Sequence, residues 1–246
     1  VNQLADEGIG KGGRTNAFGA YDSNQVGEWI RPLAYGIIYY SGIPGREEYA
    51  RELSRACRKA ADFIVAHSLQ DSDGIPSVMR HLHLQEAADG TVRQVVYHQE
   101  GRQCDVYLGR ALAGLSYYAY AMQLLGESVP EKWWEVMDNT VRWCDRKMKP
   151  NGWFDWQCED VVEGGCHTFL GNIYIAEGTF GCYLADKYAG REEAGAQAAA
   201  ETLKGYRYDT DDCGIKGRKY EYPTEFWVGP YVYWLFTEYQ DTLVKH

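Results

Sequence analysis

The chain has 246 residues, 45% of them hydrophobic and 24% charged, with a formal net charge of -10 at pH 7, which is enough apolar material for a sizeable core in one domain spanning residues 1–246. The acidic balance, without a Lys/Arg cluster, disfavours nucleic acid, and no apolar run approaches the ~20 residues that cross a bilayer. Twenty Tyr and eight Trp exceed what a helical core needs, and rings that both stack and hydrogen-bond suit sugars and other polar ring-shaped ligands.

In chain order, Val26, Trp29, Ile30, Leu33, Ile37 and Ile38 keep a helical period from Asn24 to Ser41, with Asp22 or Ser23 as the expected cap and Pro32 as the expected kink. Arg46 to His67 reads as a surface helix, with Leu53, Ala56, Ala60, Phe63 and Ile64 opposite Arg51, Arg55, Arg58 and Lys59. The pair recurs as Asp105 to Leu125 with Glu131 to Met148, and as Thr168 to Tyr188 with Arg191 to Tyr206; an apolar helix, Thr224 to Val244, follows. Short Gly turns separate the members of each pair: Ser41-Gly42-Ile43-Pro44-Gly45, Leu125-Gly126 and Ala189-Gly190. Long loops separate the pairs and carry Asp73-Gly74-Ile75-Pro76, Asn151-Gly152-Trp153-Phe154 and Cys213-Gly214-Ile215.

A unit repeated at roughly 60 to 80 residues marks an array of helical hairpins. The first helix of each pair carries the small residues, among them Gly109, Ala111, Ala113 and Gly114, then Gly171, Ala176, Gly178 and Gly181. These helices should form an inner layer and the charged ones an outer layer. All long loops then enter the N-terminal ends of inner helices at one rim, where unpaired N–H groups and positive dipole ends gather.

This inner and outer alternation, the Gly-step loops and the Tyr- and Trp-rich starts of the inner helices resemble the six-hairpin (α/α) toroid enzymes, a group dominated by glycoside hydrolases and polysaccharide lyases. The resemblance implies an all-α, toroid-like fold. A complete toroid of this kind needs about twelve helices and the pattern supplies about seven, so the expectation is a partial array, the C-terminal part of a larger toroid or one completed by a second chain or a missing segment.

The loop ends project four clusters onto the shared rim: Tyr21, Asp22, Asn24, Gln25, Glu28 and Trp29; Tyr97, His98, Gln99, Glu100, Arg102, Gln103 and Asp105; Trp153, Asp155, Trp156, Glu159, Asp160 and His167, with Asn172 and Glu177 further along the helix; and Tyr220, Glu221, Tyr222, Thr224, Glu225 and Trp227. Sugar hydrolysis requires a protonated acid for the leaving oxygen, a carboxylate for water or the anomeric carbon, and rings that hold the sugar. The candidate catalytic residues are therefore Asp155 with Glu225 or Glu28, together with His98. The candidate substrate contacts are Trp29, Glu100, Arg102, Trp153, Trp156, His167, Tyr222 and Trp227. Asp22, Asp105 and Glu225 also sit where first-turn acids stabilise helices. Glu28 and Glu177 lie inside apolar helices, where a carboxylate needs a partner or a cavity. Trp133, Trp134 and Trp143 read as packing.

No cofactor or metal is expected. The seven cysteines (57, 104, 144, 158, 166, 182 and 213) lack CxxC spacing and read as reduced, buried residues, which points to a cytoplasmic compartment. A Cys158–Cys166 bridge and a zinc site using Cys166 and His167 are the weaker alternatives, and Asp209-Thr210-Asp211-Asp212 reads as a solvated turn. The chain starts without Met or a signal pattern, so a start removed by processing or truncation is expected. The leading reading is a glycoside hydrolase acting on an oligo- or polysaccharide. The alternatives are a polysaccharide lyase or sugar isomerase/epimerase using Tyr222 or His98 for proton abstraction, and a non-catalytic carbohydrate-binding module.

Overall fold

The computed structural model describes residues 20–66, 68–70, 76–77, 81–86, 92–97, 108–148 and 166–205. Six α-helices dominate them: α1 (Ser23–Ser41), α2 (Glu47–Ala66), α3 (Leu108–Leu124), α4 (Glu131–Lys147), α5 (Cys166–Tyr188) and α6 (Gln197–Gly205), the last preceded by a π-helical turn, Glu192–Ala196. The helical class and the alternation of hairpins follow the sequence pattern. The expected helix from Thr224 to Val244 lies outside the described residues.

The inner layer is α1, α3 and α5, with α3 in the middle. Its three helices run parallel, because contacts advance in step along them. Gly27 meets Arg110 and Ala111 and Gly109 meets Tyr174, while further along Tyr35 meets Tyr117 and Gln123 reaches Ala185. Their N-terminal ends therefore share a rim, as expected for the starts near Asn24, Asp105 and Thr168. Small residues permit this approach. A Cβ on Gly109 would stand 2.2 Å from the carbonyl carbon of Tyr174, and one on Gly114 would stand 2.5 Å from the carbonyl oxygen of Gly27. From Leu108 to Met122, α3 is buried at every residue except Arg110 and Tyr120.

The outer helices cover the other side. Trp133, Trp134 and Trp143 of α4 are buried as packing residues, and the Trp133 indole donates to Asp62 of α2 at 3.1 Å. The buried stripe of α2 is Ala50, Ser54, Cys57, Ala61, Ile64 and Val65. It is rotated from the expected one: Ala56 is exposed, and Leu53, Ala60 and Phe63 are only partly buried. The reason is polar. Ser54 approaches the buried Tyr118 hydroxyl at 2.9 Å and that hydroxyl donates to the Ser54 carbonyl at 2.7 Å, so the helix turns its small, hydrogen-bonding residues inward to satisfy a buried phenol.

The short turns close as the glycines require. Gly126 and Gly190 have φ of +74° and +70°, and beyond each the chain bonds back five residues, Glu127 N–H to Met122 and Arg191 N–H to Asp186, both at 2.9 Å. These are Schellman ends, which need a left-handed residue. Helix α1 runs on through Pro32 without a break.

The segment from 69 to 103, expected as a loop, contains paired strands. β1 (Ala20–Asp22), β4 (His81–Glu86) and β5 (Val92–Tyr97) form an antiparallel sheet in the order β1-β4-β5, with Tyr21 opposite Leu82 and Leu82 opposite Tyr97. β2 (Leu69–Gln70) pairs with β3 (Pro76–Ser77). The alternation in His81-Leu82-His83-Leu84 and the β-branched run Val95-Val96 are the local cause. β1 leads directly into α1, so this sheet sits at the rim where the inner helices begin.

Candidate functional site

The inner layer turns one polar stripe away from the outer helices. On α3 and the turn that ends it, Tyr118, Met122 and Leu125 meet α2, whereas Arg110 and Tyr117, two turns apart, lie on a different stripe between α1 and α5. Glu28, Arg31 and Tyr35 of α1 follow spacings of three and four. Tyr174 and Glu177 of α5 are three apart. These are spacings at which side chains share a helix face.

Two ion pairs organise the stripe. Arg31 donates to Glu177 at 2.7 Å, joining α1 to α5 across α3, with both side chains largely buried (13% and 8% exposed). The Tyr35 hydroxyl donates to the other Glu177 oxygen at 3.1 Å, and the Tyr35 ring meets Tyr117 edge to face. Arg110 pairs with Glu28 at 3.0 Å, where the Glu28 side chain is 30% exposed. The Arg110 guanidinium also stacks 4.0 Å above the Tyr174 ring and donates to the hydroxyl of that residue.

Burial raises the pKa of Glu177 above the ordinary carboxylate value. Arg31 and the Tyr35 hydroxyl oppose the shift, and the negative charge of Glu28 adds to it. The Tyr35 phenol is also pushed up, first by burial and then by Glu177. The stripe thus holds a desolvated acid that takes up a proton readily, a partly solvated carboxylate near enough to influence it, and two guanidiniums that fix both. Exposed Trp29 and Tyr39 stand on the same helix.

Of the residues expected from the sequence, Glu28 belongs to this network and Trp29, the next residue along α1, is exposed. His167 falls in the first turn of α5. Asp155, Glu225, His98, Glu100, Arg102, Trp153, Trp156, Tyr222 and Trp227 lie outside the described residues. Glu177, noted for its cost inside an apolar helix, occupies the centre. Arg31, Tyr35, Arg110 and Tyr174 were missed by sequence reasoning. Their signal was a charged or phenolic residue recurring at helical spacing within otherwise apolar helices. A separate groove of ≈ 320 Å³ lies between α5 and α6, lined by Tyr183, Lys187, Glu192, Gln197 and Glu201 among others. Among the described residues no three His, Cys, Asp or Glu side chains converge as metal ligands, and no helix is long and apolar enough to cross a membrane. Comparison with family models, curated proteins and solved structures finds no match to this chain.

Proposed function

We propose that the chain is a carbohydrate-active enzyme of the (α/α) toroid kind, a glycoside hydrolase whose substrate, an oligo- or polysaccharide, meets the polar stripe of the inner helices. The observation that carries this reading is Glu177: a carboxyl kept desolvated and proton-accepting on the same face as the more solvated Glu28. Two carboxylates in unlike environments are what acid and base roles in glycoside hydrolysis demand. Glu177 protonates the leaving oxygen. Glu28 serves water or the anomeric carbon, with Asp155 and Glu225 as the further candidate acids that the sequence offers. Trp29 supplies a ring against which a sugar stacks.

The proton-abstraction alternative rests on Tyr222 or His98; Tyr35 does not extend it, because burial keeps its phenol protonated. The test is product analysis on a panel of oligosaccharides with the wild type, Glu177→Gln and Glu28→Gln. Hydrolysis by the wild type, with kcat lowered about 10²- to 10⁴-fold in Glu177→Gln at a temperature where circular dichroism shows the variant folded, is the expected result. Full activity in both variants would remove these roles. An unsaturated sugar product would instead identify a lyase, and binding without turnover a carbohydrate-binding module.

A further inference from the structure

At the rim of the short turns, two carboxylates share one guanidinium. Arg191 donates through Nε to Asp186 of α5 at 2.8 Å and through a terminal nitrogen to Asp138 of α4 at 2.6 Å. Its guanidinium lies 4.5 Å from the centroid of the Trp134 ring. Asp186 is only 2% exposed in its side chain, Asp138 15% and Arg191 25%. Arg191 also begins the π-helical turn, since its carbonyl accepts from both Gly195 and Ala196, at 3.0 and 3.3 Å. Gly195 is pressed against the Asp186 carboxyl so closely that a Cβ there would stand 2.3 Å from the carboxyl carbon. The turn is thus seated on the carboxylate from both ends.

The charges do not balance. Two carboxylates face a single guanidinium in a region shielded from water. Other titratable groups that act on the pair are Glu131 and Arg142 of α4 and Cys182 of α5; of these only Arg142 is cationic. We propose that this cluster is a proton-linked latch: with a proton on Asp186 the π-helical turn is held closed on α5, and loss of that proton biases the turn toward an open, hydrated arrangement. The proposal is independent of the glycosidase reading.

The sign follows from linkage. Burial, with Asp138 adding to it and Arg191 opposing it, pushes Asp186 up to about 6 in the closed arrangement. In an opened, hydrated turn its value falls toward the ordinary 3.8. The state with the lower value gains as pH rises, so opening increases between roughly pH 4 and 6 and levels off above that. Between pH 5.0 and 7.5 these two values give about a tenfold increase in the opening equilibrium. Glu192, Glu193 and Ala196 of the turn line the groove between α5 and α6, so the same proton would reshape that groove.

Native-state hydrogen exchange on the full chain, corrected for the intrinsic pH dependence of exchange, reads the opening of residues 192–205 directly. The expected result is about tenfold greater opening at pH 7.5 than at pH 5.0 in the wild type, and a markedly smaller pH dependence in Asp186→Asn, whose amide imitates the protonated acid and which leaves Asp138 to titrate. Equal opening of the wild type at both pH values would overturn the latch, as would an Asp186→Asn protein that keeps the full dependence. Should that variant fail to fold, an NMR titration of the wild-type Asp186 carboxyl decides the matter: a midpoint near 6 supports the latch, and one in the ordinary aspartate range refutes it.

Discussion

Among single residues, Arg31 has the most to reveal. It holds a carboxylate that burial already penalises, and removing one partner of a buried ion pair strands the other. Arg31→Met is expected to cost about 3 to 5 kcal/mol at pH 7.5 and clearly less at pH 4.5. The direction comes from Glu177, whose folded-state value lies above its unfolded one. The folded state therefore binds the proton more tightly, and stability falls as pH rises out of the carboxylate range toward the folded value. Without the guanidinium that value climbs further and the penalty at neutral pH grows. Urea unfolding at both pH values checks this, and an equal loss at the two would show that Glu177 is not the group left stranded. At this scale the sequence was half legible. Glu28 and Glu177 stood out because acids inside apolar helices need a reason. Arg110 and Tyr174 did not, because their roles depend on a register between helices that no single-helix pattern contains.

Among elements, the inner helices depend on absent side chains. Alanine in place of glycine in a helix ordinarily gains about 1 kcal/mol, yet a Cβ at Gly109 would collide with the backbone of Tyr174, which no rotamer change relieves. Gly109→Ala should therefore lose at least about 2 kcal/mol despite the propensity gain. Gly36→Ala, whose Cβ would meet only the tip of Leu53 at 3.1 Å, should be close to neutral. Denaturant midpoints of the two variants test the contrast. Helix order and the glycine turns were readable because the 3.6-residue period and the left-handed glycines are local. The strands at 81–86 and 92–97 were hidden in a segment read as loop for its length, although their alternation was present. The inward face of α2 was misplaced by apolar counting, since a serine and a buried phenol decided it. The π-helical turn had no signal apart from Gly195, whose meaning depends on Asp186.

For the whole molecule, α3 is the hub. It packs between the other inner helices and also meets α2 and α4, while α2 and α6 keep long exposed faces. Hydrogen exchange should then be slowest in α3 and faster in the outer helices, because opening α3 requires disrupting both layers at once. Protection highest in α2 or α6 would contradict the layering. The layering itself could be anticipated, since small residues on one helix of each pair and charges on the other divide inside from outside without reference to the fold.

The buried thiols turn this architecture into a set of clocks. Cys57, Cys144 and Cys182 are buried thiols, one each in α2, α4 and α5. Burial pushes the Cys57 thiol up to about 12, so at pH 8 only about one molecule in ten thousand carries its thiolate while closed. Alkylation must therefore wait for each helix to open, and three labelling rates on one unmodified chain time how the outer layer parts from the inner.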